Sequence, residues 1–232
     1  MDIKQFRYSS DNMAYLVYND QSAIAIDPGA VDDMIDFAAS NHLKIDRVTN
    51  THTHYDHTIG NSSILHKTGA EFLDCREFNH NSTISLGSET IMVFRTPGHM
   101  DDCVTFQAGN ALITGDTLFN GTVGTCFSDD MKGFLNSILF LMTFPPETLI
   151  YAGHDYVKEA MTFARIIEKD NPAIERYLAE YNPDLVVSTL GDELEANPFL
   201  RFNDPRMITI MEERGLPVKT ELDRWKSLMD LY

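Results

Sequence analysis

Three imidazoles and a carboxylate fall within six consecutive residues of this chain. Residues 51–57 read Thr-His-Thr-His-Tyr-Asp-His, which places His52, His54, Asp56 and His57 side by side. A polar surface loop would explain such a stretch, because turn-forming residues such as Asp are common in loops. A metal site would also explain it, since imidazole and carboxylate are common metal ligands. The choice depends on what the rest of the chain brings to the same place.

Four strand-like runs each end in a metal-binding type of side chain. In each case an apolar run enters a turn of small or polar residues and is followed directly by His or Asp. Because strand ends in layered α/β structures gather along one rim, seven such residues could converge there. The runs and the residues that follow them are 47–50 with His52, His54, Asp56 and His57, 92–98 with His99, 112–115 with Asp116, and 149–153 with His154.

Taken singly, these residues also have ordinary structural explanations. His99 or His154 could be a hydrogen-bonded core or surface group. Asp56 or Asp116 could cap a turn or a helix. The four strand ends together account for five of the eight histidines, and this combination favours the metal site. The histidines outside the pattern have no role assigned: His42, His66 and His80.

The spacing within the first cluster favours two metal ions. His52 and His54 share a face only in an extended segment, so the chain must turn before Asp56 and His57 can point elsewhere. Nitrogen and oxygen donors without thiolate fit zinc, iron or manganese, and the ligand types do not choose among them. We expect two divalent cations, with zinc favoured and iron or manganese as alternatives. The predicted ligand sets are His52, His54 and His99 for one cation and Asp56, His57 and His154 for the other, with Asp116 bridging both.

The composition narrows the classes of function. A chain of 232 residues with 43% hydrophobic residues can form a large core. No apolar run reaches the roughly 18 residues of a membrane span and the first residues lack an apolar signal segment, so we expect a cytoplasmic protein without a membrane partner. A net charge of −17 disfavours nucleic acid as a partner. The three cysteines form no CxxC pair, which indicates free thiols, and the oligomeric state is left open.

Two kinds of secondary structure divide the chain. Up to residue 155, short apolar runs separated by Gly, Pro and Asn predict strands interspersed with helices. From Tyr156 onward the periodicity predicts only helices. The predicted strands are 14–18, 23–26, 89–95, 103–107, 111–114 and 149–151; the predicted helices are 31–42, 132–142, 157–169, 173–181, 205–214 and 221–231.

The ordered series of ligand-type residues resembles the metallo-β-lactamase superfamily. Within that superfamily the chain is similar to glyoxalase II, the hydroxyacylglutathione hydrolases, nearly from end to end. The resemblance implies an α+β fold, the metallo-β-lactamase αββα sandwich with a C-terminal all-helical region. It implies a catalytic domain at residues 1–155 and a helical substrate-binding region at residues 156–232. The segments that carry it are Ser10-Asp11-Asn12, Thr96-Pro97-Gly98-His99, Thr114-Gly115-Asp116-Thr117-Leu118-Phe119, Gly153-His154-Asp155-Tyr156 and Asn197-Pro198-Phe199-Leu200-Arg201.

The resemblance also implies an activity, the hydrolysis of a small-molecule thioester by a hydroxide held between two metal ions. Asp116 would bridge the metals, and Asp56 would both ligate and orient the hydroxide. By the same resemblance, Tyr156 and Arg201 stand where the family holds the glutathione part of its substrate. Their ordinary explanations are a packing residue at a helix start and a surface cation.

Two departures from the family pattern keep other interpretations open. Thr125 and Met229 stand where the family has basic residues, so the identity of the thiol is not predicted. A mononuclear iron oxygenase resembling the persulfide dioxygenases could use His52, His99 and Asp116 on the same fold. A purely structural role for the metals is disfavoured, because seven ligands exceed the needs of one closed tetrahedral site.

Overall fold

Two β-sheets form the centre of the protein, and a computed structural model describes all of its residues, Met1–Tyr232. The strands of the first sheet are β1 Asp2–Tyr8, β2 Asn12–Tyr18, β3 Ser22–Ile26, β4 Lys44–Thr49 and β5 Glu71–Leu73, hydrogen-bonded in that order. The strands of the second sheet are β6 Ser82–Leu86, β7 Glu89–Arg95, β8 Val104–Ala108, β9 Ala111–Gly115, β10 Leu149–Ala152 and β11 Ser188–Thr189. Their spatial order is β11-β10-β9-β8-β7-β6.

Nine helices surround the sheets. One additional turn of 3-10 helix covers Cys75–Glu77. None of the helices combines the length and the apolar composition needed to cross a membrane. The helices are α1 Val31–Ser40, α2 Tyr55–Thr58, α3 Asn61–Thr68, α4 Met131–Leu141, α5 Val157–Ile167, α6 Pro172–Glu180, α7 Leu190–Ala196, α8 Pro205–Glu213 and α9 Glu221–Met229.

The inner strands are buried on both faces, and their residues alternate between two apolar layers. In β3, Ile24 and Ile26 pack into the core between the sheets, whereas Ala23 and Ala25 face the outer layer that contains Met34 of α1. This period of two follows from the geometry of an extended chain, and strands covered on both faces become continuously apolar.

The second sheet is covered in the same way. In β9, Ile113 faces the core between the sheets, and Leu112 packs with Phe134 and Ile138 of α4. Helix, sheet, sheet and helix therefore follow one another as layers. The predicted α+β fold, an αββα sandwich followed by a helical region, is confirmed.

The region after Tyr156 shares the core of the sandwich instead of forming one of its own. Val157 and Ala160 of α5 belong to the apolar cluster between the sheets, and Trp225 of α9 belongs to the cluster around α4. The region also contributes a short strand that the sequence did not predict: Ser188–Thr189 pairs with β10 at the edge of the second sheet. The helices therefore pack directly against the unit that carries the predicted ligands.

Trp225 provides a test of this packing. Its side chain is completely buried, with Phe134, Phe199 and Phe202 within 5.9 Å between ring centroids. Trp225→Ala leaves a large cavity and should lower the free energy of unfolding by about 3–5 kcal/mol. Trp225→Phe should lower it much less, because the indole Nε1 has no hydrogen-bond partner to lose. Urea unfolding followed by circular dichroism measures both, and an unchanged midpoint in Trp225→Ala would show that α9 contributes little to the fold.

Candidate metal centre

Strand direction brings the predicted ligands to one rim. β9 and β10 are parallel, and β7 is antiparallel to β8, which is antiparallel to β9. The carboxyl ends of β7, β9 and β10 therefore lie at the same edge of the second sheet. His99, Asp116 and His154 follow these ends.

The histidine-rich stretch comes from the other sheet. It follows β4, and its last part forms the single turn of α2. The backbone N–H of Val104 in the second sheet donates to the carbonyl of Thr51, 2.8 Å away, so the stretch is bound directly to that sheet. Ligands from both sheets consequently meet between them.

The seven predicted residues form two groups of donor atoms. Within each group the donor atoms lie within 4.8 Å of one another. His54 Nδ1 lies 2.9 Å from His99 Nε2 in the first group, and the two Nε2 atoms of His57 and His154 lie 3.2 Å apart in the second. The groups are His52, His54, His99 and Asp116, and Asp56, His57 and His154.

Asp116 contacts both groups. Its Oδ2 lies 3.5 Å from His99 Nε2 and 3.4 Å from His154 Nε2. Its Oδ1 lies 3.3 Å from His57 Nε2. The structure thus places this carboxylate where the sequence predicted a bridge, and its role as a ligand of two metals stays a prediction.

Unpaired buried atoms indicate that these groups fit metal ions. His52 Nε2 and Asp116 Oδ1 are buried and have no hydrogen-bond partner. Polar atoms left unpaired in the interior cost about 1–3 kcal/mol each, and a coordinated cation would satisfy both. No cysteine belongs to either group, so the donors are nitrogen and oxygen only, as zinc, iron and manganese accept.

Four of the candidate imidazole ligands are held in place by a contact at Nδ1, the ring nitrogen that would not bind the metal. Such contacts fix the tautomer and the orientation of a metal-binding imidazole. Nδ1 therefore faces the protein in these four rings and Nε2 faces the other ligands. The contacts are His52 Nδ1 to Thr51 Oγ1 at 3.1 Å, His57 Nδ1 to Asp27 Oδ2 at 2.9 Å, His99 Nδ1 to the Thr125 carbonyl at 2.9 Å, and His154 Nδ1 to Asp11 Oδ1 at 2.9 Å.

Asp27 and Asp11 are functional residues that the sequence analysis missed. Asp27 is fully buried, and it also accepts hydrogen bonds from the backbone and hydroxyl of Thr51. It directly follows β3, as Asp116 follows β9, so the strand-end pattern would have found it. Asp11 lies in the turn before β2, within the Ser10-Asp11-Asn12 segment that carries the resemblance, but nothing in the sequence paired it with His154.

Burial and charge set the protonation of the centre. Burial disfavours the Asp116 carboxylate, but His57 and the neighbouring imidazoles outweigh this effect and hold the pKa of Asp116 well below its usual range. Burial likewise opposes a charge on His57, yet the carboxylates of Asp116 and Asp27 raise its pKa well above the usual value. Burial, with a contribution from His57, lowers the pKa of His52 to about 2. An anionic Asp116 and a neutral His52 are the forms that bind a cation, whereas His57 must release its proton when a cation binds.

Glycine at the end of β10 allows Asp116 to approach. A Cβ atom at Gly153 would lie 2.1 Å from Asp116 Oδ1 and 2.9 Å from His57 Cε1. Any other residue would push the shared carboxylate away from the imidazoles. The turn of small residues that preceded His154 in the sequence is therefore a steric requirement of the centre.

Aromatic side chains border the centre. The ring of Tyr156 stacks on His154 at 5.0 Å with an interplanar angle of 6°. Phe127, which the sequence analysis did not single out, is exposed, and its ring contacts those of His54 and His99 edge-on. Both rings are accessible to a molecule that approaches the ligands.

Arg201 is engaged within the fold. Its guanidinium forms two hydrogen bonds with the buried Glu168 carboxylate, at 2.7 Å and 3.0 Å, and lies 3.4 Å from Asp204 Oδ2. This arrangement favours the structural explanation of Arg201 and gives no support to its predicted contact with substrate. Of the two positions where basic residues were expected, Thr125 has an exposed side chain next to the centre, and Met229 packs against the apolar cluster around α4.

Family models match nearly the whole chain. A model described as the metallo-beta-lactamase superfamily matches residues 10–72 and 83–154. A model described as the hydroxyacylglutathione hydrolase C-terminus matches residues 155–229. The second match begins where the helical region begins.

Individual proteins show the same likeness. Hydroxyacylglutathione hydrolase of Hydrogenovibrio crunogenus is 31% identical over 95% of this chain and 92% of its own length. The protein of that name from Rhodospirillum rubrum is 32% identical over 87% of each chain. Among solved structures, ETHE1 from Myxococcus xanthus superposes with a TM-score of 0.70 and 25% identity, over 98% of this chain and 100% of that one.

The shared position of Asp116 leads to a prediction about metal content. The purified wild type should carry close to two metal ions, and Asp116→Ala should lose both, because one carboxylate contacts both donor groups. His54→Ala is the matched control, since it removes a donor from the first group alone. Elemental analysis after dialysis against a chelator measures the difference. Retention of two metals by Asp116→Ala would contradict the bridging role.

Proposed function

The chain belongs to the metallo-β-lactamase superfamily, in its hydroxyacylglutathione hydrolase-like branch, and on this basis we propose that it hydrolyses a small-molecule thioester with the help of two divalent cations. The resemblance found in the sequence is confirmed, and the chain is a metal-dependent hydrolase. The observation that carries the proposal is the pair of adjacent donor groups joined by Asp116.

The metal ligands have distinct tasks in this proposal. With one cation held by each group, the pair would supply a hydroxide nucleophile at neutral pH and polarise the thioester carbonyl. Asp116, which is almost fully buried, holds the two groups together. Asp56 has the more exposed carboxylate, and Asn12 Nδ2 fixes its Oδ2 at 2.9 Å. We therefore assign to Asp56 the orientation of the attacking water, and the thiolate leaves without a protein nucleophile.

We propose that residues 1–155 supply the catalytic part and residues 156–232 a substrate-binding wall. Tyr156 supports this division, because it begins the second segment and its ring lies on His154. The boundary between the two family matches, at residues 154 and 155, supports it as well. Phe127 would border the substrate from the opposite side, next to His54 and His99.

The iron oxygenase is the alternative that the sequence left open. It would need only His52, His99 and Asp116, all of which lie in the first donor group. That reading leaves the second group, Asp56, His57 and His154, without a purpose. The complete second group and the names of the relatives favour the hydrolase, and the identity of the metals is left to the experiment.

Metal analysis combined with two activity assays tests the proposal. We expect about two metal ions per chain, release of free thiol from a thioester at neutral pH, and no oxygen uptake with a persulfide. Removing the metals with a chelator should abolish thiol release, and adding zinc, iron or manganese should restore it to extents that identify the preferred metal. Oxygen consumption by a protein with one iron per chain would instead establish the oxygenase.

The choice of thiol depends on charge near the centre. Thr125 contributes its backbone carbonyl to His99, while its side chain is exposed and uncharged. A glutathione carboxylate would therefore lack a cationic partner at this position, and a charge-assisted hydrogen bond contributes about 1.5–3 kcal/mol. We propose that thioesters of a smaller or less acidic thiol are hydrolysed at least as well as those of glutathione.

Adding a cation at this position should change binding and leave the chemical step unchanged. Thr125→Arg is expected to lower KM for a glutathione thioester about tenfold with nearly constant kcat, the pattern of uniform binding. Thr125→Gln, which adds length without charge, is the control and should leave KM close to that of the wild type. Steady-state kinetics with matched acyl groups on different thiols measures both. An unchanged KM in Thr125→Arg would show that the thiol carboxylates bind elsewhere.

A further inference from the structure

A buried carboxylate in the helical region is not one of the predicted ligands. Glu193 of α7 is fully buried and has no cationic partner. Its two oxygens instead accept hydrogen bonds from four donors. The donors are Tyr177 Oη at 2.5 Å and Ser188 Oγ at 2.6 Å on Oε1, and Gly121 N at 2.9 Å and Asn197 Nδ2 at 2.9 Å on Oε2.

Three of these donors belong to the helical region, and the fourth belongs to the segment that follows Asp116. This segment, residues 117–127, contains no helix and no strand, only a single bridge between Leu118 and Val123. Backbone without regular pairing depends on side-chain hydrogen bonds for its position. Two such bonds come from the network around Glu193: Gly121 N donates to Glu193, and Asn197 Nδ2 donates to the carbonyl of Thr122 at 3.2 Å. They hold the middle of the segment, while Thr114 Oγ1 donates to the carbonyl of Leu118 and Phe127 N donates to that of His99 nearer its two ends.

The other end of the same segment reaches the metal centre. The Thr125 carbonyl lies 2.9 Å from His99 Nδ1 and holds that ring. Between the two ends the backbone passes so close to Asp116 that a Cβ atom at Gly124 would lie 2.0 Å from the Asp116 carbonyl oxygen. A displacement of residues 121–122 would therefore be passed on to Thr125 and to His99.

We propose that Glu193 is a positioning residue for the metal centre: it anchors residues 121–122 in the middle of segment 117–127, and through the Thr125 carbonyl this anchor sets the orientation of the His99 imidazole in the first donor group. The proposal rests on the proposed function only in that the first donor group binds a cation. It gives the helical region a second task besides forming a wall of the substrate site.

The two oxygens of Glu193 have different requirements. Oε1 meets two hydroxyl groups, which can rotate and accept a hydrogen bond instead of donating one. Oε2 meets two N–H groups, which can only donate. Burial raises the pKa of Glu193, so the negative charge is not what this position favours. The segment requires a hydrogen-bond acceptor at the position of Oε2. The amide oxygen of a glutamine can supply it, with the amide nitrogen turned towards the hydroxyl groups.

Three variants separate positioning from simple stability. Glu193→Leu removes the acceptor, Glu193→Gln retains it, and Tyr177→Phe deletes a buried hydrogen bond to Oε1, whose direct partners lie outside the segment. Competition with a chromophoric chelator gives the affinities for both zinc ions, and thermal unfolding of the metal-free proteins gives the stability. We expect Glu193→Leu to lower the affinity for one of the two zinc ions about 10- to 100-fold. This is the usual effect of losing a contact that orients a metal ligand. Glu193→Gln should bind both zinc ions as the wild type does, and Tyr177→Phe should lose stability without losing affinity.

Each outcome decides the proposal. Unchanged zinc affinities in Glu193→Leu overturn the proposal. An equal loss of affinity in Tyr177→Phe at matched stability also overturns it, because such a loss would indicate a general structural effect. If Glu193→Leu does not fold, Asn197→Ala is the substitute, because it removes the hydrogen bond to the Thr122 carbonyl. It should lower the affinity for the same zinc ion, and an unchanged affinity in this variant overturns the proposal. Zinc binding is measured without substrate, so a wild type that binds two zinc ions but releases no thiol would contradict the proposed function alone.

Discussion

The arrangement of the protein depends on one buried carboxylate surrounded by imidazoles. Asp116 lies within 3.5 Å of rings from three different segments, and burial makes its charge unfavourable without them. Holding an anion at this place requires that both sheets end at the same rim and that Gly153 leaves room for the carboxylate. It also requires contacts that keep the rings turned inwards. Asp27, Asp11, Thr51 and the Thr125 carbonyl make those contacts, so the centre extends well beyond its seven donors.

The helical region is joined to this centre by apolar and by polar contacts. Trp225 and Phe199 pack with Phe134 of α4, which places part of the α9 surface in the core of the sandwich. The Glu193 network adds a polar connection to the segment after Asp116. Because buried polar groups require their partners, such a network specifies one relative position of the two regions more strictly than apolar packing does. The helical region and the sandwich that carries the candidate donors are therefore expected to respond to each other.

The cations that the resemblance implied near the substrate are either missing from this chain or engaged within the protein. The chain has a net charge of −17, and the exposed side chain next to the first donor group is Thr125, with the aromatic ring of Phe127 two residues further on. Arg201, the cation expected to face the substrate, is bound to Glu168 and Asp204. The residue type alone gave no indication of this, because a guanidinium binds a carboxylate of the protein as readily as one of a substrate. The metal chemistry is thus better supported than glutathione as the thiol.

The sequence by itself predicted β2, β3 and β7 to β10, six of the nine helices and the seven residues that the structure brings together as candidate donors, but it did not predict β1, β5 or β6. Period-two alternation and helical periodicity are local properties, and a ligand placed directly after a strand is visible in the order of residues. The sequence did not indicate β11, the role of Asp11, the exposure of Phe127 or the partners of Arg201, since each joins residues far apart in the chain. Ser188 meets β10 across a separation of more than thirty residues, and Asp11 meets His154 across 143. Only the tertiary structure decided which polar groups became partners, because pairing depends on where the packed layers leave two side chains facing each other.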